Sequence, residues 1–68
     1  MKLHVEMLPS GEKRILKFPD EASGFDVVHA LELKPDAHIL VREGRPIPMD
    51  EELRNGERIK LIKVASGG

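Results

Sequence analysis

The 68-residue sequence contains no cysteine, no tryptophan and no tyrosine. Without cysteine the chain can form no disulfide, and any thiol chemistry must be supplied by another molecule. The aromatic residues are Phe18 and Phe25 alone, too few for the stacking surfaces that single-strand nucleic-acid binders use. Because so short a chain builds only a thin core, its stability must come from aliphatic packing and well-formed local structure.

Long hydrophobic runs and one-sided charge are also absent. No apolar stretch approaches the ~20 residues of a membrane span, and the N-terminus lacks the apolar segment of a signal peptide. The 11 basic and 12 acidic residues give a net charge of −1 and are interspersed, whereas nucleic-acid-binding surfaces show clustered Lys and Arg. We therefore expect a monomeric, cytoplasmic protein that binds neither membranes nor nucleic acid directly.

The N-terminal segment has the period of a half-buried strand. Residues 1–8 are apolar at the odd positions up to position 7 and polar at the even positions up to position 6, which predicts the first strand. Turn-forming residues follow at 9–12, and residues 14–18 predict a second strand with Leu16 and Phe18 facing the core. The two strands should form a hairpin.

A helix is predicted over residues 24–33. Ser23 is its expected N-cap, and Asp26 lies in the first turn, where the helix dipole favours an acid. Lys34-Pro35 ends the helix. Its expected apolar face consists of Phe25, Val27, Val28 and Leu31.

The second half of the chain predicts three further strands. Residues 39–41 form the third strand, which is too evenly apolar to show which side chains point inward. Pro46 and Pro48 flank Ile47, so any strand there is short and lies on an edge. Residues 49–56 are predicted to be a loop or a single helical turn, in which Met49 and Leu53 cover the end of the core.

The final strand is predicted over residues 58–64, with Ile59 and Leu61 facing inward. The elements together indicate an α+β fold, in which a mixed sheet of four to five strands packs on one helix. We expect one domain over residues 1–64 and a flexible tail over 65–68. If the first and last strands are neighbours, this tail leaves from the middle of the sheet.

The tail ends in Gly67-Gly68, which chance would place there in about 0.5% of chains at a glycine frequency of ~7%. A Gly-Gly end has no Cβ, so it can pass through a narrow channel onto the active-site floor of another protein. A carboxylate delivered in this way can attack the α-phosphate of ATP to give an acyl-adenylate. Sulfide or a persulfide then gives a thiocarboxylate, and a lysine amine gives an isopeptide bond. The competing interpretation is an incidental, frayed end.

Four short motifs extend this argument to the whole chain. They are Ala-Leu-Glu-Leu-Lys-Pro at 30–35, Val-Arg-Glu-Gly-Arg-Pro-Ile-Pro at 41–48, Asn-Gly-Glu-Arg-Ile at 55–59 and the terminal Gly67-Gly68. In this order and spacing, residues 1–68 resemble the β-grasp family of ubiquitin-like proteins. The chain is most similar to the prokaryotic branch, which comprises the small archaeal modifier proteins and the sulfur carriers of thiamine, molybdopterin and thiolated-tRNA synthesis.

The resemblance implies a β-grasp fold and a carrier that is not itself an enzyme. It implies that Gly68 is the activated residue and that Ser66 and Gly67 enter an E1-like adenylating enzyme, which uses ATP. The chain would hold no cofactor of its own, and a sulfurtransferase or the lysines of target proteins would act next. Sulfur transfer and protein modification are not separated by the sequence, because both use Gly68.

Three departures from the family pattern refine this expectation. Arg42 stands where relatives often carry an apolar residue, which predicts a shifted or more exposed third strand. Ser66 replaces the arginine that precedes the glycines of ubiquitin, which argues against activation of the eukaryotic type. The first hairpin is longer than in thiamine-type carriers, which favours the archaeal modifier and tRNA-thiolation branch.

Beyond the tail, the outward side of the last strand is the second candidate site. Lys60, Ile62 and Val64 lead directly into the tail, so they are predicted to form a partner-binding surface. Scattered exposed apolar residues are also normal on any protein, and that interpretation stays open. The second function class is accordingly a non-covalent β-grasp binding module whose terminal glycines are incidental.

Catalytic residues and metal ligands are not predicted. His4, His29 and His38 lack the short paired spacing of zinc sites, so we expect solvated or hydrogen-bonded histidines. The neighbouring carboxylates of Glu51 and Glu52 would not face each other, so we expect a solvated turn rather than an acid–base pair.

Overall fold

The computed structural model describes residues 1–64 of the chain. No helix within that range is long and apolar enough to cross a membrane. The elements follow in the order β1 (Lys2–Leu8), β2 (Glu12–Lys17), β3 (Ala22–Ser23), α1 (Gly24–Ala30), a 3₁₀ turn (Pro35–Ala37), β4 (His38–Arg42), β5 (Arg45–Ile47), β6 (Glu52–Leu53) and β7 (Arg58–Lys63).

The first two strands form the predicted N-terminal hairpin, in which β1 and β2 pair antiparallel. Leu16 and Phe18 pack against the core, as the alternation predicted. The second strand begins two residues earlier than expected, because the chain reverses within residues 9–11. The N–H of Gly11 donates to the carbonyl of Met7 at 2.7 Å and closes this turn.

The last strand, β7, is the central strand of a five-stranded sheet with the order β2-β1-β7-β4-β5. It runs parallel to β1, with Ile59 opposite Val5, and antiparallel to β4, with Leu61 opposite Leu40. The short strand around Ile47 lies at the edge, where its prolines are tolerated. The predicted α+β fold, a mixed sheet packed with one helix, is thereby confirmed, and its topology is β-grasp-like.

The hydrophobic core lies between α1 and one face of this sheet, here called the inner face. Successive strand residues point to opposite faces, so each long strand contributes alternate side chains. In β4, Leu40 is 1% exposed in the core, whereas Ile39 is 40% exposed. This settles the register that the evenly apolar third strand left open. The largest fully buried side chains are Leu3, Val5, Val27, Val28, Leu40 and Leu61.

The helix is shorter than predicted. Ser23 is its N-cap, and the carboxylate of Asp26 accepts a hydrogen bond from the Ser23 N–H at 2.8 Å. The helix ends at Ala30 rather than residue 33, because Glu32 adopts a left-handed conformation with φ of 58°. The N–H of Leu33 then donates to the carbonyl of Val28 at 2.8 Å, a Schellman-type closure. Glycine usually occupies the left-handed position of this motif, which is Glu32 here. No residue in the sequence therefore indicated that the helix ends at this point.

The predicted apolar face of the helix is partly wrong. Val27 and Val28 are buried and Leu31 packs against the core, but Phe25 is 50% exposed. The core-facing stripe starts at Gly24 and continues three, four and seven residues later. Phe25 lies beside that stripe rather than within it.

The segment predicted as a loop over residues 49–56 contains the short strand β6. It pairs antiparallel with β3, with Leu53 opposite Ala22. Leu53 is 2% exposed and Met49 packs against the core, so both cover the core as predicted. Two-residue strands carry too little periodicity to be visible in a sequence.

Arg42 joins β4 to the loops on either side of β6. Its guanidinium forms an ion pair with Glu57, lies 3.2 Å from a carboxylate oxygen of Glu51, and donates to the carbonyl of Glu52 at 3.0 Å. The expectation of a shifted third strand is therefore wrong, because this charged side chain has carboxylate partners and β4 keeps a regular ladder with β7.

The pKa values of this ion pair are shifted in opposite directions. Partial burial by itself raises the pKa of Glu57, but hydrogen bonds from the Arg42 side chain and the Arg54 N–H, with the charges of both arginines, outweigh burial. The net pKa of Glu57 is lowered from its ordinary value of 4.5. The hydrogen bond to Glu57 raises the pKa of Arg42, although burial of the guanidinium opposes it.

Gly24 should be intolerant of a methyl group. A Cβ at this position would lie 2.5 Å from Cδ2 of Leu40 and 2.8 Å from the carbonyl oxygen of Met49. Leu40 can rotate, but the Met49 carbonyl accepts the Phe25 N–H at 3.0 Å and is held in place. We expect Gly24→Ala to lower the free energy of unfolding by about 1–3 kcal/mol through overpacking, despite the better helix propensity of alanine. Urea titration measures this change. His29→Ala, an exposed site on the same helix, is the control and should be neutral; a Gly24→Ala variant as stable as the wild type would contradict the close approach.

The Glu57 ion pair should make stability depend on pH. Because the folded-state pKa is lowered, the pair stabilises the fold above the ordinary value of 4.5, and this contribution is lost as the pH falls through the folded-state pKa. We expect the difference in melting temperature between wild type and Glu57→Gln to be largest near neutral pH and to shrink in acid. Glu21→Gln, at an exposed position, serves as control. A Glu57→Gln difference that stays constant from neutral to acidic pH would argue against the pair.

Candidate functional site

The face of the sheet opposite α1, here called the outer face, carries the predicted partner-binding residues. Ile59 and Leu61 of β7 point into the core, being 2% and 0% exposed. The alternate residues Lys60 and Ile62 therefore project from the outer face, Lys60 exposed and Ile62 half-buried. Within residues 1–64 no helix covers this face, so its side chains are not enclosed by that part of the chain.

The structure places Lys60 and Ile62 on the outer face of β7 and Val64 directly after that strand, where the described chain stops. Lys60 lies opposite Glu6 of β1 and Val41 of β4 in the register of the sheet. Val64 follows β7 and is half-buried, and its N–H donates to the carbonyl of Ala37 at 3.0 Å. Partner binding by these residues stays a prediction.

Two residues that the sequence did not single out extend this surface. The register places Leu8 of β1 and Ile39 of β4 directly opposite Ile62. The three side chains form an apolar row across the central strands, on the outer face and next to Val64. Leu8 could have been found from the alternation of β1, but Ile39 required the register of β4.

A groove of about 570 Å³ lies further from the tail on the same face. It is formed by β1, β2, β7 and the end of β4, and Ile15 on its wall is 56% exposed. We call it the basic groove because cations outnumber anions in its lining, four against two. Its charged lining residues are Lys13, Arg14, Arg58, Lys60, Glu6 and Glu43.

The cations of the basic groove differ in their partners. Arg14 forms an ion pair with Glu12. Among residues 1–64, Lys13, Arg58 and Lys60 form no ion pair within 4.0 Å. Glu6 lies in the same cross-strand row as Lys13 and Lys60, between them. The groove therefore presents three cationic groups whose charge is not neutralised by a contacting carboxylate of the described chain.

His38 and Glu51, two further polar residues considered as candidates, contact other residues of the domain. Nδ1 of His38 lies 2.9 Å from the carbonyl oxygen of Lys34. The carboxylate of Glu51 contacts Arg42, whereas Glu52 lies in β6 and contacts Arg42 through its backbone carbonyl. In the part of the chain that the structure describes, no group of three or more His, Cys, Asp or Glu side chains is arranged to hold a metal ion. No polar side chain in that part is fully buried.

The predicted activated residue, Gly68, and the predicted threading residues Ser66 and Gly67 lie outside the described residues. Their roles stay predictions. The described structure bears on them only through Val64, which fixes where the tail begins.

Comparison with known proteins identifies no described function. No protein-family model matches the sequence. An uncharacterized protein of Archaeoglobus fulgidus is 25% identical over 68 residues, and the alignment covers the full length of both chains. The functional interpretation therefore depends on the fold, the outer face and the tail sequence.

Ile62 is the residue of the apolar row best placed to act as an interface anchor. If the E1-like adenylating enzyme that the sequence resemblance implies is the partner, we expect Ile62→Glu to weaken binding to it by ~1–3 kcal/mol, as for a buried interface residue, while the chain stays folded. Isothermal titration calorimetry measures the affinity, and circular dichroism the fold. Phe25→Glu is a matched control, since it introduces the same charge at an exposed apolar residue of α1, on the other side of the molecule. Equal affinity of Ile62→Glu and wild type would remove the apolar row from the site.

Proposed function

We propose that this protein is a ubiquitin-like carrier or modifier whose C-terminal Gly68 is adenylated by an E1-like partner enzyme. The observation that supports this most strongly is the position of β7. The strand that precedes the tail is the central strand of a β-grasp-like sheet and runs parallel to β1. The Gly-Gly sequence therefore follows a strand anchored on both sides.

The short distance between the domain and Gly68 gives the outer face a role in activation. Val64 is fixed by its hydrogen bond to Ala37. Four residues span at most ~13–14 Å even when fully extended. An enzyme that binds the Gly68 carboxylate in its active site must therefore also contact the end of the sheet, where the apolar row lies.

The chemistry would be supplied by the partner. One oxygen of the Gly68 carboxylate attacks the α-phosphorus of ATP, pyrophosphate leaves, and an acyl-adenylate forms. Sulfide or a lysine amine then attacks the carbonyl carbon and displaces AMP, giving a thiocarboxylate or an isopeptide bond. If a persulfide attacks instead, an acyl disulfide forms, and a thiol of the sulfurtransferase must cleave its S–S bond to release the thiocarboxylate. In this proposal the chain contributes a carboxylate and a docking surface, needs no cofactor, and is not an enzyme.

Sulfur transfer and protein modification give different products, so intact-mass analysis of the protein from its native cells separates them. Replacement of one oxygen by sulfur supports transfer of sulfur by way of a sulfurtransferase. Conjugates of this chain support modification, and tryptic peptides identify them by a Val-Ala-Ser-Gly-Gly remnant on lysines of other proteins, because trypsin cleaves after Lys63. The same measurement shows whether Gly68 is the last residue of the mature chain, which the proposal requires.

Removing Gly68 or enlarging Gly67 should abolish activation without affecting folding. Deleting one residue withdraws the carboxylate by about 3.3–3.6 Å, and a displacement near 1 Å can already cost ~100-fold in rate. In Gly67→Val, a branched side chain would occupy a channel shaped for glycine. We expect ATP–pyrophosphate exchange with the adenylating enzyme to be lost in both variants, with the wild-type melting temperature retained.

The conservative change Ser66→Ala, one residue earlier in the tail, is the matched control and should retain exchange. A chain without Gly68 that exchanges at the wild-type rate would overturn the carrier proposal. If the truncated chain binds the enzyme but the wild type supports no exchange, the protein is instead a non-covalent β-grasp binding module.

A further inference from the structure

The charges of this nearly neutral chain are separated in space. Residues 20–26 and 50–52 carry six of the 12 acidic residues and no basic residue. These segments meet where β3 pairs with β6, beside the start of α1. The basic groove lies on the outer face of the sheet, away from that acidic surface. Such separation creates a directional field that orients a charged partner, although the net charge is only −1.

We propose that the basic groove is a docking site for an acidic, extended segment of a partner protein. Lys13, Arg58 and Lys60 are available to its carboxylates, because none contacts a carboxylate of residues 1–64. Between them, the exposed side chain of Ile15 and the nearly buried Val41 offer apolar contacts. A segment in which aliphatic residues stand between acidic residues matches this lining in both respects.

The lining fits a peptide better than a nucleic acid. Neither Phe18 nor Phe25 lines the groove, and the imidazole of His4 is the one ring in its lining, whereas single-strand binders use several aromatic rings on which successive bases stack. Glu6 places a negative charge in the row between Lys13 and Lys60, which repels a continuous phosphate backbone. A peptide can instead direct a backbone N–H or a hydroxyl to this carboxylate and its acids to the lysines.

The groove continues into the surface next to the tail. Lys60 lines the groove, and Ile62, two residues later on the same strand, belongs to the apolar row. A partner could therefore cover both regions along β7. The inference goes beyond the proposed carrier function and does not depend on activation of Gly68.

The test uses the full-length, ¹⁵N-labelled chain and a defined probe, the capped peptide Glu-Leu-Asp-Glu-Leu-Asp, followed by NMR chemical shifts. We expect saturable shifts at the amides of 13–15 and 58–60, no shifts in α1, and weakening at higher salt. The matched peptide with glutamine and asparagine in place of the acids should not bind. Absence of saturable shifts at millimolar acidic peptide, or equal binding of the neutral peptide, overturns the proposal.

Two substitutions locate the effect within the protein. Lys60→Glu should weaken peptide binding about three- to tenfold, because an exposed ion pair contributes little and its reversal replaces attraction by repulsion. Lys63→Glu changes the net charge equally and lies on the same strand but outside the groove lining, so it should bind nearly as the wild type. Equal weakening in both variants would mean that net charge, and not the groove, attracts the peptide.

Two further experiments test whether the groove binds a nucleic acid or a second copy of the chain instead. Polyuridine RNA that binds at 13–15 and 58–60 more tightly than the peptide would overturn the proposal in favour of a nucleic acid. Association of the chain with itself in sedimentation runs, abolished by Lys60→Glu, would overturn it in favour of a second copy. A chain lacking Gly68 should bind the peptide as the wild type does, so failure of the carrier proposal and failure of the groove proposal are separable.

Discussion

The parallel pairing of β1 with β7 is the constraint on which the rest of this structure depends. The first and last strands of the domain lie side by side, so the chain must leave the hairpin, form α1 and return before the sheet can be completed. This pairing places Leu3, Val5, Ile59 and Leu61 together under the helix, where all are 2% exposed or less. Because non-local contacts of this kind require loop closure first, a cooperative, all-or-none domain is the physical consequence.

The same pairing divides the sheet into two faces with different roles. The side chains of the inner face are buried in the core, so a substitution there changes the free energy of unfolding. The alternate residues of each strand point to the outer face, which carries both the apolar row and the basic groove. The two faces belong to the same strands, so the strands that form the core also hold the residues of the outer face in place, including those proposed as docking residues.

Arg42 shows how charge can support a fold whose core is thin. Its side chain is half-buried, with 22% of its surface exposed. Its contacts with Glu57 and Glu51 hold the loops around β6 against β4. Those loops carry Met49 and Leu53, which close the end of the core. Arg42 therefore acts through partners that are distant in sequence, and β4 keeps a regular ladder with β7.

The sequence by itself determined the order of α1 and of the strands β1, β2, β4, β5 and β7, the inward residues of β1 and β7, and the α+β class, because alternation and turn residues act over a few neighbours. It also singled out Lys60, Ile62 and Val64 from their positions on the last strand. Only the tertiary structure decided the end of α1, where Glu32 takes a glycine-like conformation, the exposure of Phe25, and the ladder between β3 and β6. Leu8 and Ile39 join Ile62, and Lys13 joins Lys60, only through strand register. The physical reason is that register and packing join residues tens of positions apart, and local pattern carries no information about which distant strand becomes the neighbour.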